Sequence, residues 1–95
     1  MSRESVSFKN RDRFIQLGIA ISTMRRMRGF SQEQLAERAG ISRSQLSVIE
    51  APGMMRAFSL EIFFNIADAL EVSPAELLRV SMIPEQMLNE YENRK

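Results

Sequence analysis

Two serine-led helix starts with a single glycine between them restrict the fold of this chain more than any other feature. Ser31 is followed three residues later by Gln34, and Ser42 by Gln45. In such a pair the serine hydroxyl accepts the N–H of the third helical residue, while the glutamine reaches back to the serine N–H and completes a reciprocal capping box. Gly40, between the two, takes the left-handed conformation that ends a helix without the clash a Cβ brings. The pattern predicts two short helices meeting at a tight turn over residues 32–51. Leu35, Ala39, Ile41, Leu46 and Ile49 give the pair an apolar inner face, and the small Ala36 lets the helices cross closely. Arg43, Ser44, Ser47 and Val48 are left on the outside of the second helix.

The flanking sequence is helical by the same physical signals. Phe14, Leu17, Ile21 and Met24 recur at intervals of three and four, which predicts a helix over residues 10–28 stopped by Gly29, with Met24 and Met27 filling its core side. A fourth helix fits residues 59–70 and turns Leu60, Phe63, Ile66, Ala67 and Leu70 inward. Ser73 with Glu76 forms a third capping-box pattern, and Pro74 suits a first helical position, where its missing N–H is not needed. Pro84 is placed to open a short sixth, C-terminal helix carrying Met87, Leu88 and Tyr91. Residues 1–9 are polar and without periodicity and read as a flexible arm, residues 10–80 as the folded domain, and residues 81–95 as a tail. Neither strand-like alternation nor repeats occur, so the expected class is all-α, five helices plus the short sixth.

Composition narrows the chemistry. Ninety-five residues are enough for one core, and the chain has neither cysteine nor histidine. The usual zinc ligands, the commonest general base and the best thiol nucleophile are therefore missing, and no residue cluster supports catalysis, a metal site or a cofactor. Glu85 with Glu90 or Glu92 reads as a solvated acidic tail. No apolar run reaches the roughly 18 residues a membrane span needs, and the polar start lacks the core of a signal peptide, so a cytoplasmic, membrane-free protein is expected. Charge is unevenly placed: residues 1–58 hold ten Lys/Arg against five Asp/Glu, and residues 59–95 hold three against seven. The first part of the chain would face an anion.

The segment Gly29-Phe-Ser-Gln-Glu-Gln-Leu-Ala-Glu-Arg-Ala-Gly-Ile-Ser-Arg-Ser-Gln-Leu-Ser-Val-Ile-Glu50 resembles the Cro and phage-repressor (XRE-like) helix-turn-helix family, and the resemblance extends over about residues 14–79. It implies a five-helix, lambda-repressor-like domain whose third helix enters the major groove of double-stranded DNA, and a homodimer acting as a repressor on two half-sites about 34 Å apart. It implies base contacts by Arg43, Ser44 and Ser47, with Gln45 divided between capping and base contact and Val48 meeting a thymine methyl. Arg43 is the expected specificity residue, since a guanidinium bridges O6 and N7 of guanine. Phosphate contacts fall to Gln32 and Ser42 at helix starts, to Arg56 in the following loop and to Arg28 on the flank. Arg25 and Glu50 correspond to positions that often form a buried ion pair, a scaffold role.

Two surfaces compete for self-association. One is the loop after the third helix, with Met54, Met55 and Phe58; the other pairs Ile15 and Ile19 with the apolar tail Met82, Ile83, Met87, Leu88 and Tyr91, which the sequence allows to pack either on its own first helix or on a partner's. Where the family commonly has Asn-Gly after Glu50, this chain has Ala51-Pro52-Gly53, which removes an N–H donor at the exit of the third helix. That departure and the apolar tail support a second reading, a protein-interaction module such as an antitoxin or adaptor subunit with a protein partner.

Overall fold

Each short helix starts where a serine can cap it. In the computed structural model, which describes residues 10–53 and 57–82, the chain forms α1 (Arg11–Met27), α2 (Gln32–Ala39), α3 (Arg43–Glu50), α4 (Leu60–Leu70) and α5 (Pro74–Ser81), and no strand among those residues. Ser31 and Ser42 both make the full reciprocal box: each hydroxyl accepts the third-residue N–H at 3.0–3.1 Å, and each serine N–H donates to the glutamine oxygen at 2.8–2.9 Å. Ser59 caps α4 through the Ile62 N–H at 3.1 Å. Ser73 caps α5 through the Glu76 N–H, but the third box stays half made, because Glu76 turns its carboxylate to Arg79 one turn along.

The turns follow from backbone preference. Gly40, at φ 71°, ends α2 and lets Ile41 donate back to the Ala36 carbonyl, so that Ser42 restarts the chain at once. The α4–α5 turn has the same geometry without a glycine: Glu71 sits at φ 62° as the left-handed cap of α4. Arg28 steadies that turn, donating to the Glu71 carbonyl oxygen at 3.3 Å and facing its carboxylate at 3.5 Å.

Ile21, Leu35, Leu46, Ile66, Leu70 and Leu77, drawn from all five helices, are fully buried together. Burying a side chain of this size contributes roughly 1.5–3 kcal/mol, so this shared centre fixes the relative placement of α2 and α3. Met24 packs against the core, but Met27 is 78% exposed, contrary to expectation. The buried face of α1 passes through Ile21 and Arg25, and a helix turns position 27 well away from it. Leu60 is likewise 69% exposed rather than inward. It is the first residue of α4, where side chains lean toward the helix start, beyond the packed neighbours.

Candidate nucleic-acid interface

The third helix is held from one side and bare on the other. Leu46, Ile49 and Glu50 are buried, whereas Ser42, Arg43, Ser44, Gln45 and Ser47 are exposed and Val48 is half-buried. The polar face expected to meet bases is therefore presented outward. Gln45 makes the capping contact: its side-chain oxygen accepts the Ser42 N–H at 2.9 Å, which leaves its amide N–H groups as the donors for any further contact.

Two devices set the position of this helix. At its end Arg25 of α1 forms a forked pair with Glu50, Nε to Oε2 at 2.8 Å and Nη2 to Oε1 at 3.0 Å, and a third bond runs from Nη1 to the Phe30 carbonyl at 2.8 Å. Both side chains are largely removed from water, at 11% and 5% exposure. The ion pair implied by the resemblance is thus present, and every buried side-chain polar atom among the described residues has a partner. Second, α1 crosses α3 at Gly18, where a Cβ would stand 2.2 Å from the Ile49 carbonyl oxygen. Only glycine admits that approach. Sequence reasoning passed over this residue, although a glycine inside an otherwise regular helix, where it costs about 1 kcal/mol relative to alanine, was the available signal.

Gln32 shows a tie that local pattern does not reveal. Its amide Nε2 donates to Glu50 Oε1 at 3.0 Å, joining the first residue of α2 to the last of α3. One of its two N–H bonds is thereby used, and the side chain is oriented beside the start of α2. Ser42 keeps its hydroxyl in the cap of α3.

Other expected site residues are placed differently. The Arg28 guanidinium lies against Glu71 at the α4–α5 turn rather than standing open for a phosphate, because the left-handed turn offers it both a carbonyl and a carboxylate. Phe58 is not a bare contact surface: it packs against the core, its ring edge-on to Phe14 at 5.6 Å. It also lines a cleft of about 370 Å³ beside α3 with Ser44, Gln45 and Val48. Ala51 adopts the extended conformation that a following proline favours, and Pro52 and Gly53 are exposed. Arg56, Met54, Met55, Met87, Leu88 and Tyr91, the arm and the sixth helix lie outside the described residues. Among the described residues no acidic cluster could hold a metal ion, and no helix is long and apolar enough to cross a membrane.

The family model described as helix-turn-helix, HTH_3, matches residues 21–77. The restriction-modification controller protein C.AhdI from Aeromonas hydrophila is 33% identical over 67% of this chain and 94% of its own, with a TM-score of 0.63. The biofilm master regulator SinR, solved in complex with DNA, is 34% identical over 65% of this chain and 97% of its own, TM-score 0.60. The clp gene regulator ClgR from C. glutamicum is 28% identical over 73% of this chain and 87% of its own, TM-score 0.66. No curated protein sequence matches the chain. A capped α2–α3 pair with an outward polar face, matched by a family model across most of the described helices, places the chain in the Cro and phage-repressor (XRE-like) helix-turn-helix family of DNA-binding transcription regulators.

Proposed function

We propose that this protein is a sequence-specific repressor that binds an inverted-repeat operator as a homodimer and acts by occupying it. The observation that carries the reading is the state of α3: clamped by Arg25, Glu50 and Gly18 on its inner side, with Arg43, Ser44 and Ser47 exposed along the other. A rigid helix with a short polar face suits direct readout, where the side chains must meet base edges in one register. Gln32 and Ser42, at the starts of α2 and α3, lie where backbone N–H groups favour phosphate oxygens. Arg56 supplies a further phosphate contact in place of the missing Asn-Gly.

Few cations line α3, so one half-site gives modest affinity and pairing of copies supplies the rest. Exposed Leu60 and Phe64, one turn apart on α4, support an apolar contact between copies. Selection of bound duplexes from a random pool tests the reading. An inverted repeat should emerge with half-site centres about 34 Å apart, and affinity should fall as salt rises, through counterion release. Arg43→Ala should weaken the selected site by about 1–3 kcal/mol per half-site. A pool that yields no repeat, together with binding indifferent to salt, would instead support the protein-interaction module.

A further inference from the structure

The cap that Gln45 makes decides which end of its amide is left for a partner. The Ser42 N–H is a donor and admits only the side-chain oxygen, which accepts it at 2.9 Å. The Nε2 N–H groups meet no partner among the described residues, and the side chain is exposed. An adenine edge asks an amide for oxygen and nitrogen side by side, accepting from N6 and donating to N7. With its oxygen held to the backbone, Gln45 offers a base a donor, and the matching group on the base is an acceptor.

Guanine, adenine and thymine all show acceptors in the major groove, and the cleft beside α3 selects among them. Gln45 and Val48, one turn apart on α3, line it together with Phe58 and Ile62. Phe58 is braced edge-on against Phe14 at 5.6 Å and Ile62 packs against the core, so the apolar wall is fixed. At about 370 Å³ the cleft admits a methyl group with no side chain displaced. Only thymine sets an acceptor, O4, beside a methyl group, on C5. Guanine and adenine bring an acceptor but nothing apolar to bury.

We propose, on the footing that α3 faces the bases, that Gln45 and the cleft walled by Val48 and Phe58 read one thymine in each half-site. Nε2 of Gln45 donates to O4 while the 5-methyl group enters the cleft. Gln45 is then a specificity residue beside Arg43, and it reads because it caps. The two roles are separable by one substitution. Glutamate closes the same box as glutamine, but its second oxygen accepts, which fits the N4 donor of cytosine and repels O4 of thymine.

Fluorescence anisotropy of the full chain on the duplex selected from the random pool tests the proposal. Uracil replaces each half-site thymine in turn, and at one position loss of the methyl group should weaken binding about fourfold, the effect of one methyl-sized group left unburied. Changing that pair from T·A to C·G should cost the unmodified protein at least about fivefold. Gln45→Glu, compared at low salt so that its added charge does not abolish binding, should prefer the C·G duplex instead. It should also bind 5-methylcytosine there about fourfold better than cytosine, since the cleft is unchanged. Its melting temperature should stay within about 4 °C of the unmodified protein. Uracil silent at every thymine, a Gln45→Glu protein that still prefers thymine, or one that loses both duplexes equally and melts far lower, as a purely structural cap would, each overturns the thymine assignment and leaves α3 as the reading helix. A pool that yields no repeat overturns both.

Discussion

Replacing Arg25 by alanine should destabilise this protein far more than replacing its neighbour Arg26, and the structure gives the size of the difference. Arg25 makes two bonds to Glu50 and one to the Phe30 carbonyl, and neither partner of the pair has free access to water. Truncation leaves the Glu50 carboxylate with the Gln32 amide but without its counter-charge. Removing one member of a buried pair typically costs about 3–5 kcal/mol, most of it from the charge left behind. For a domain of this size each kcal/mol lowers the melting temperature by about 4–8 °C, so Arg25→Ala should melt at least about 12 °C lower. Arg26 is exposed, and its truncation should stay within about 0.5 kcal/mol. Urea and thermal unfolding followed by circular dichroism measure both. The double variant Arg25→Met with Glu50→Leu, which removes both charges and keeps volume, should recover most of the loss, as apolar replacements of buried pairs often do. Equal, small effects of Arg25→Ala and Arg26→Ala, or losses that simply add in the double variant, would refute the reasoning.

Two further substitutions probe the scaffold. Gly18→Ala should destabilise despite alanine's helix preference of about 1 kcal/mol, because the new Cβ meets the Ile49 backbone carbonyl rather than a movable side chain; unfolding should show the loss and DNA affinity should fall with it as α3 is displaced, whereas a rise in melting temperature would mean that α1 and α3 do not cross there. Glu71→Gly should stabilise by up to about 1 kcal/mol, since it removes a left-handed Cβ clash that costs about 1–2 kcal/mol, while the exposed contact with Arg28 contributes little; a clear loss of stability on urea titration would show that the Arg28 contact outweighs the strain.

The parts of this molecule legible in the sequence are those fixed by near neighbours. Ser31 and Ser42 announce their helices because a capping box is closed by residues three apart, and Gly40 announces the turn because a left-handed corner favours one residue type. The buried stripes through Ile21, Leu35, Leu46 and Leu70 follow from helical period alone. Period gives a face but not where the neighbours end, and so Met27 and Leu60 stand exposed where helical spacing points them inward. The spacing of Ser73 and Glu76 predicts a full box, yet Glu76 has a closer cation in Arg79. Glu71 gave no sign of a left-handed cap, since the turn is imposed by the packing of α4 and α5 and not by a permissive residue. At the candidate site the outward face of α3 was visible in the sequence. The Gln32–Glu50 bond and the Gly18 crossing join positions 18 and 31 residues apart, and only the assembled core brings these together. Arg28 looked like a flank cation for the same reason: Glu71 is 43 residues away.

If the outer face of α3 enters a major groove with Arg43 on a guanine edge, one thermodynamic cycle reveals it. Affinities of the unmodified protein and of Arg43→Ala are measured by fluorescence anisotropy on the selected duplex and on the same duplex carrying 7-deazaguanine at one half-site guanine. Loss of the N7 acceptor should weaken the unmodified protein and leave Arg43→Ala nearly unaffected, a coupling of about 0.5–3 kcal/mol between side chain and base. If every half-site guanine, replaced in turn, weakens both proteins equally, Arg43 does not read the groove and the account of α3 is wrong.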